Sequence, residues 1–161
     1  MGIAVDNVIQ FRACEAIAVM VQPEAELHSD DVARIERLRR LFQVAMLKSR
    51  SDLEQACIMI AAERSGSLAS FGLALFGALA EYGSNRMAMH VPGAAAFSET
   101  EIWLTRTLRA YELSDNSQGR ALIAWRVRPF GHRRVRFLMG GLADAFRRAE
   151  EPGGLSATQC T

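Results

Sequence analysis

The chain has 161 residues, half of them hydrophobic and 23% charged, with a formal net charge of +1. That length buries a core without disulfides or a structural metal, and that composition excludes a disordered or collagen-like chain. Aromatics are few, and alanine, leucine and methionine are many, which favours helix over strand.

The N-terminus, MGIAVDNVIQFR, has no basic leader and carries Asp6 early, so it does not read as a signal peptide. Asp6 or Asn7 caps a first helix that sets Val8, Phe11, Cys14, Ile17 and Val21 on one side and ends before Pro23; a strand over residues 3–11 is the competing reading. Ser29, Asp30 and Asp31 open a second helix, with Val32, Ile35, Leu38, Phe42, Ala45 and Met46 recurring at helical spacing. Acids at its start and Lys48 and Arg50 beyond its middle suit the helix dipole.

Ser51-Asp52-Leu53-Glu54 reads as a capping box, in which Ser51 and Glu54 satisfy free backbone donors of a third helix. That helix turns Leu53, Cys57 and Ile60 inward and breaks at Ser65-Gly66-Ser67. Leu68 to Tyr82 follows as an apolar helix that stops at Gly83. It is hydrophobic nearly all round, which assigns it to the centre of the fold. The uncharged run from Ser65 to Ala80 is sixteen residues, short of the ~20 a membrane span needs.

Residues 84–97 read as a long loop, since Pro92-Gly93 ends helical continuation. Within it, Met87, Met89 and His90 have no second cluster to complete a soft-metal site and are assigned to loop packing. Ser98-Glu99-Thr100-Glu101 is a second capping box, with Phe97 and Ile102 at staple positions, and opens a helix running to about Leu113. Leu104, Leu108 and Tyr111 form its main stripe. Trp103 lies off that stripe, either as part of a wide core face or as an exposed interface residue.

Charge concentrates near the C-terminus. From Asn116 to Arg148 eight arginines face one acid, Asp144, so this stretch carries +7 and the rest of the chain −6. Its densest part is RVRPFGHRRVRF, residues 126–137. Alternating Trp125, Val127 and Val135, Phe137 would suit a hairpin. The stripe Val135, Leu138, Met139, Leu142, Phe146 instead predicts a helix over about 132–148, and the first arm, 117–128, reads as a helix with Leu122, Ile123 and Trp125 inward. Arg133, Arg134 and Arg136 then stand in the first turns of the last helix, where the dipole favours acids. Arg126 and Arg128 face the same corner. The five arginines are the candidate partner- or phosphate-binding site. The competing expectation is internal pairing with Glu99, Glu101 or Glu112. Gly140-Gly141 inside the last helix marks a close approach of another backbone, from this chain or from a second copy in a homodimer.

No dinucleotide fingerprint, P-loop or HExxH motif occurs. Cys14, Cys57 and Cys160 show no zinc or disulfide spacing. No catalytic, cofactor or metal residue is therefore assigned, and no known family is resembled. The expectation is a single all-α bundle of about six to seven helices over residues 1–151, with its central apolar helix near 67–82 and a flexible C-terminal tail at 152–161. The expected role is a small cytoplasmic, bacterial regulator or adaptor that binds an acidic protein partner through the arginine corner. A nucleic-acid-binding regulator is the alternative, and a small-ligand sensor or an enzyme ranks below both.

Overall fold

The computed structural model describes residues 27–63 and 66–150. The helix expected from residue 6 and the tail expected from 152 lie outside the described residues. The described residues form six α-helices: α1 Ser29–Met46, α2 Arg50–Glu63, α3 Leu68–Tyr82, α4 Glu99–Glu112, α5 Asn116–Arg126 and α6 His132–Glu150. A 3₁₀ turn, Pro129–Gly131, joins the last two. There is no β-strand among the described residues; Gly83 and Val127 form one isolated antiparallel bridge.

α1 begins with Asp31 accepting a hydrogen bond from the His28 backbone N–H (3.2 Å). That carboxylate also complements the positive end of the helix. Ile35, Leu38 and Ala45 are buried, but Val32 and Met46, expected inward, are 39% and 57% exposed. They sit at the two ends of the stripe, beyond the facing helices. Charged residues take core positions instead: Asp31, Arg34 and Arg39 are all buried on the inner face.

α2 starts two residues earlier than its expected box requires. The capping pair is Ser49 and Asp52: Ser49 Oγ accepts from Asp52 N–H, and Asp52 Oδ2 accepts from Ser49 N–H (both 3.2 Å). With Arg50 as the first helical residue, Asp52 takes the third position, the one that reaches back to the cap. Glu54 is left to pair with Arg50 at 3.1 Å.

α3 is the central helix. Ser67 Oγ caps it by accepting from Ser70 N–H. Phe71, Ala74, Leu75, Phe76, Ala78 and Leu79 are buried, and the helix packs on α1, α2 and α6. Two of its glycines allow this: Gly72 meets the Leu41 side chain, and a Cβ on Gly77 would lie 3.0 Å from Leu53 Cβ.

α4 carries the expected Ser98–Glu101 box, with Glu101 N–H donating to Ser98 Oγ (3.2 Å) and Ser98 N–H donating to Glu101 Oε2 (2.9 Å). Ser114, at φ +58°, turns the chain into α5, which Asp115 caps through Gln118 N–H. α4 and α5 pack together, and both pack on α6, whose buried stripe is Val135, Leu138, Met139, Leu142 and Phe146. Residues 122–137 are therefore a helix pair, not a hairpin.

Candidate interaction surface

The corner between α5 and α6 is held from below by the end of α3. Ser84 N–H donates to Arg126 O and Arg128 N–H to Tyr82 O, both at 2.8 Å. His132, the first residue of α6, places Nε2 2.7 Å from Val127 O. Gly131 is required here, because a Cβ would overlap the Tyr82 side chain. The turn is thus pinned to the core by backbone bonds that do not depend on the side chains at 128–130, proline at 128 excepted.

On this scaffold the five arginines diverge. Arg126 points inward and is 8% exposed. Nη2 donates to Glu99 Oε2 (2.9 Å) and Nη1 to Thr100 Oγ1 (3.1 Å), while the guanidinium carbon lies 4.8 Å from the Trp125 ring centre and 5.9 Å from that of Trp103. Burial lowers the pKa of Arg126, and the neighbouring Glu99 charge opposes that shift. Arg134 leaves one edge of α6 toward α3, 3.8 Å from Glu81 Oε2 and beside the Tyr82 ring. It also borders a cleft of about 290 Å³ that contains the half-buried thiol of Cys57. Arg136 leaves the opposite edge, and its Nε donates to His132 O (3.2 Å). Arg128 and Arg133 are exposed, and neither forms an ion pair among the described residues.

Internal pairing thus claims part of the cluster, through Glu99 alone of the three acids considered. Glu101 serves Arg39, and Glu112 serves Arg34 at 3.1 Å. Trp103 is 1% exposed and donates its indole N–H to Leu122 O (2.9 Å), so it belongs to the wide core face and is not a contact residue. Trp125, expected inward, is 46% exposed, because Arg126 takes the buried position beside it. Gly141 answers to this chain's own packing: its Cβ would overlap the Phe71 ring. Gly140 has no such neighbour among the described residues; a methyl added there would find its nearest atom among them in Tyr111 Cδ1, at 3.9 Å.

Two features went unread in the sequence. Trp125, Phe130 and Phe137 are 46%, 94% and 50% exposed, and among the described residues no other tryptophan or phenylalanine is exposed. The signal was a phenylalanine between Pro129 and Gly131, where a turn leaves nothing to pack on. The second is a buried ionic cluster. Arg39, 1% exposed, binds Glu101 through Nε (2.8 Å) and Nη2 (3.0 Å), Glu36 at 2.6 Å, and the carbonyls of Ala94 and Ala96. Glu101, fully buried, also accepts from His90 N–H (2.8 Å). Burial pushes the Glu101 carboxyl up, but Arg39 and the Ser98 and His90 N–H groups outweigh it and hold the pKa below the ordinary glutamate value. This cluster clamps the loop between α3 and α4 onto α1. Every polar atom of the Arg39–Glu101 pair has a partner, so it serves structure.

Met87 and Met89 pack against the core, as expected for loop packing. Among the described residues no group of three His, Cys, Asp or Glu side chains is placed to hold a metal ion, and no helix is long and apolar enough to cross a membrane. Compared with known proteins, the chain matches no family model, no curated protein and no solved structure.

Proposed function

We propose that this chain is a small regulator or adaptor that acts by binding an acidic protein partner. Its contact surface is the exposed part of the α5–α6 corner: Trp125, Arg128, Phe130, Arg133 and Phe137. One observation carries the reading, namely that the exposed large aromatic residues gather in thirteen residues of chain, interleaved with exposed arginines. A solvent-facing phenylalanine at 94% exposure adds nothing to the fold, whereas aromatic and arginine side chains dominate protein-binding hot spots. A cytoplasmic setting belongs to the same proposal and rests on three widely spaced cysteines without a pairing motif.

The nucleic-acid reading keeps one argument, since exposed aromatics beside arginines also stack bases. Charge separates the two. With Arg126 and Arg134 directed at glutamates, Arg128, Arg133 and Arg136 remain for phosphates. Three phosphate contacts give a log–log salt slope of about −2 to −3, too weak to hold a polyanion at physiological salt.

Photo-crosslinking from position 130 in the native cell tests the proposal, with Gln55 on exposed α2 as the control position. The expected result is a defined protein adduct from position 130 that is absent from position 55 and lost in an Arg133→Glu variant with an unchanged melting temperature. Equal crosslinking from both positions would refute it. An RNA or DNA adduct from position 130 in place of a protein adduct would replace it with the nucleic-acid reading.

A further inference from the structure

The corner continues into a groove on the outer face of α6. Phe71, Phe137, Gly140 and Gly141 form its floor and wall, Arg136 and Arg148 its rim, and its volume is about 390 Å³. Gly140 lies at this floor, in the middle of a nineteen-residue helix. Glycine there is less stable than alanine. Nothing among the described residues calls for it: its φ is not positive, and a methyl would meet only ordinary van der Waals contact. Gly141, its neighbour, is explained by Phe71. Phe137, one turn before Gly140, stands half-exposed on the same face.

Charge decides what fits. Along this face Arg133, Arg136 and Arg148 stand against one acid, Asp144, which is already bound to Arg147 at 2.6 Å. Two copies meeting across α6 would oppose arginine to arginine, and like charges at an interface are unfavourable. An acidic surface is complementary. A straight helical groove whose floor lacks a side chain lets a second helix approach more closely than the usual packing distance.

We infer that an acidic amphipathic helix of a partner protein seats across α6 at Gly140, with its apolar side between Phe71 and Phe137 and its carboxylates facing Arg133, Arg136 and Arg148. This rests on the protein-binding reading above and extends its surface from the corner along the last helix.

The test is a displayed library of helical peptides with randomised surface positions, selected on the purified full chain. Selected sequences should be rich in Asp and Glu on the flanks of an apolar stripe. Gly140→Leu and Arg148→Glu should each weaken them at least about tenfold while both variants stay folded. Gly140→Ala should raise the melting temperature by a few degrees. Failure of the library to enrich, enrichment without acidic residues, or unchanged affinity for Gly140→Leu would each overturn the inference. Arg148→Glu, at an exposed site, keeps the test decisive should leucine at 140 perturb the helix. If Phe130→Ala and Arg133→Glu abolish binding and Gly140→Leu does not, the groove assignment falls and the corner stands. If none of these variants matters, both fall. A dimer of the chain that Gly140→Leu dissociates would assign the face to a second copy and reject the acidic helix.

Discussion

Replacing Glu101 with alanine should cost about 3 kcal/mol of stability, near the lower end of what removing one member of a buried ion pair costs. The carboxylate is fully buried and accepts from Arg39 Nε and Nη2, His90 N–H and Ser98 N–H. Its loss leaves two backbone donors and part of a guanidinium without an acceptor, at roughly 1–3 kcal/mol per buried group. The cost stays below the sum of those terms because Arg39 keeps Glu36 and the Ala94 and Ala96 carbonyls. Urea unfolding followed by far-ultraviolet circular dichroism at pH 7 reads the loss. Amide exchange at His90 and Gly93 should accelerate in the same variant, because both N–H groups bond to carboxylates of this cluster. A double variant, Arg39→Met with Glu101→Leu, should recover about half of the lost stability, since an apolar pair leaves no charge buried alone. A loss under about 1 kcal/mol for Glu101→Ala would refute the account of the pair as a clamp, against the usual cost of breaking a buried pair.

Acid should weaken the same clamp. Glu101 and Glu36 both titrate below the ordinary glutamate value when folded, Glu36 chiefly through the Gly93 N–H and then Arg39. A depressed carboxyl contributes stability that is present above the unfolded pKa, about 4.3, and is lost as pH falls through the folded value, so melting temperature should drop below about pH 4.5. Glu112, raised mainly by burial, acts in the opposite sense and makes that drop shallower; a stability flat from pH 7 to 3 would contradict the assignment. In the corner, Arg126→Glu should destabilise by about 3 kcal/mol or more through a buried charge facing Glu99, while Arg133→Glu should stay within about 0.5 kcal/mol. Thermal melts of the two variants compare them directly, and equal effects would dissolve the distinction between inner and outer arginines. Gly141→Ala should lose about 1–3 kcal/mol by pressing on the Phe71 ring, measured by urea unfolding; a neutral result would mean Phe71 has room to move.

The helices were legible because their signals are local. Ser67 and Gly83 bracket α3, Ser98 and Glu101 build a box within four residues, and the stripe of α6 repeats over three turns. The Ser51–Glu54 box failed at the same level, because two overlapping pairs competed and the chain entered the helix two residues early. The ionic core was hidden for a different reason. Arg39 follows Ile35 and Leu38 at core spacing, which alone says only that a charge sits on an apolar stripe. Its partner Glu101 is 62 residues away, and pairing across that separation is set by the packing of α1 on α4. Trp125 shows the same limit: Trp125 and Arg126 are adjacent, only one can face α4, and Glu99 with Thr100 decides it for the arginine.

The charge count of the C-terminal stretch overstates the charge left free of internal pairing. Arg126 is engaged by Glu99, Arg134 approaches Glu81, and Arg147 holds Asp144. The arginines left at the corner lie around a turn rather than along a track, and α6 directs Arg134 and Arg136 to opposite edges. Affinity for a phosphate backbone scales with the number of phosphates neutralised, and few of these arginines are free to contribute. A protein surface needs a few desolvated anchors ringed by charge, and that is the arrangement of Phe130 and Phe137 beside Arg128 and Arg133. The rigidity of the turn points the same way. It is tied by Ser84, Arg128 and His132 to backbone atoms of the core, so its backbone is held without a further ordering cost.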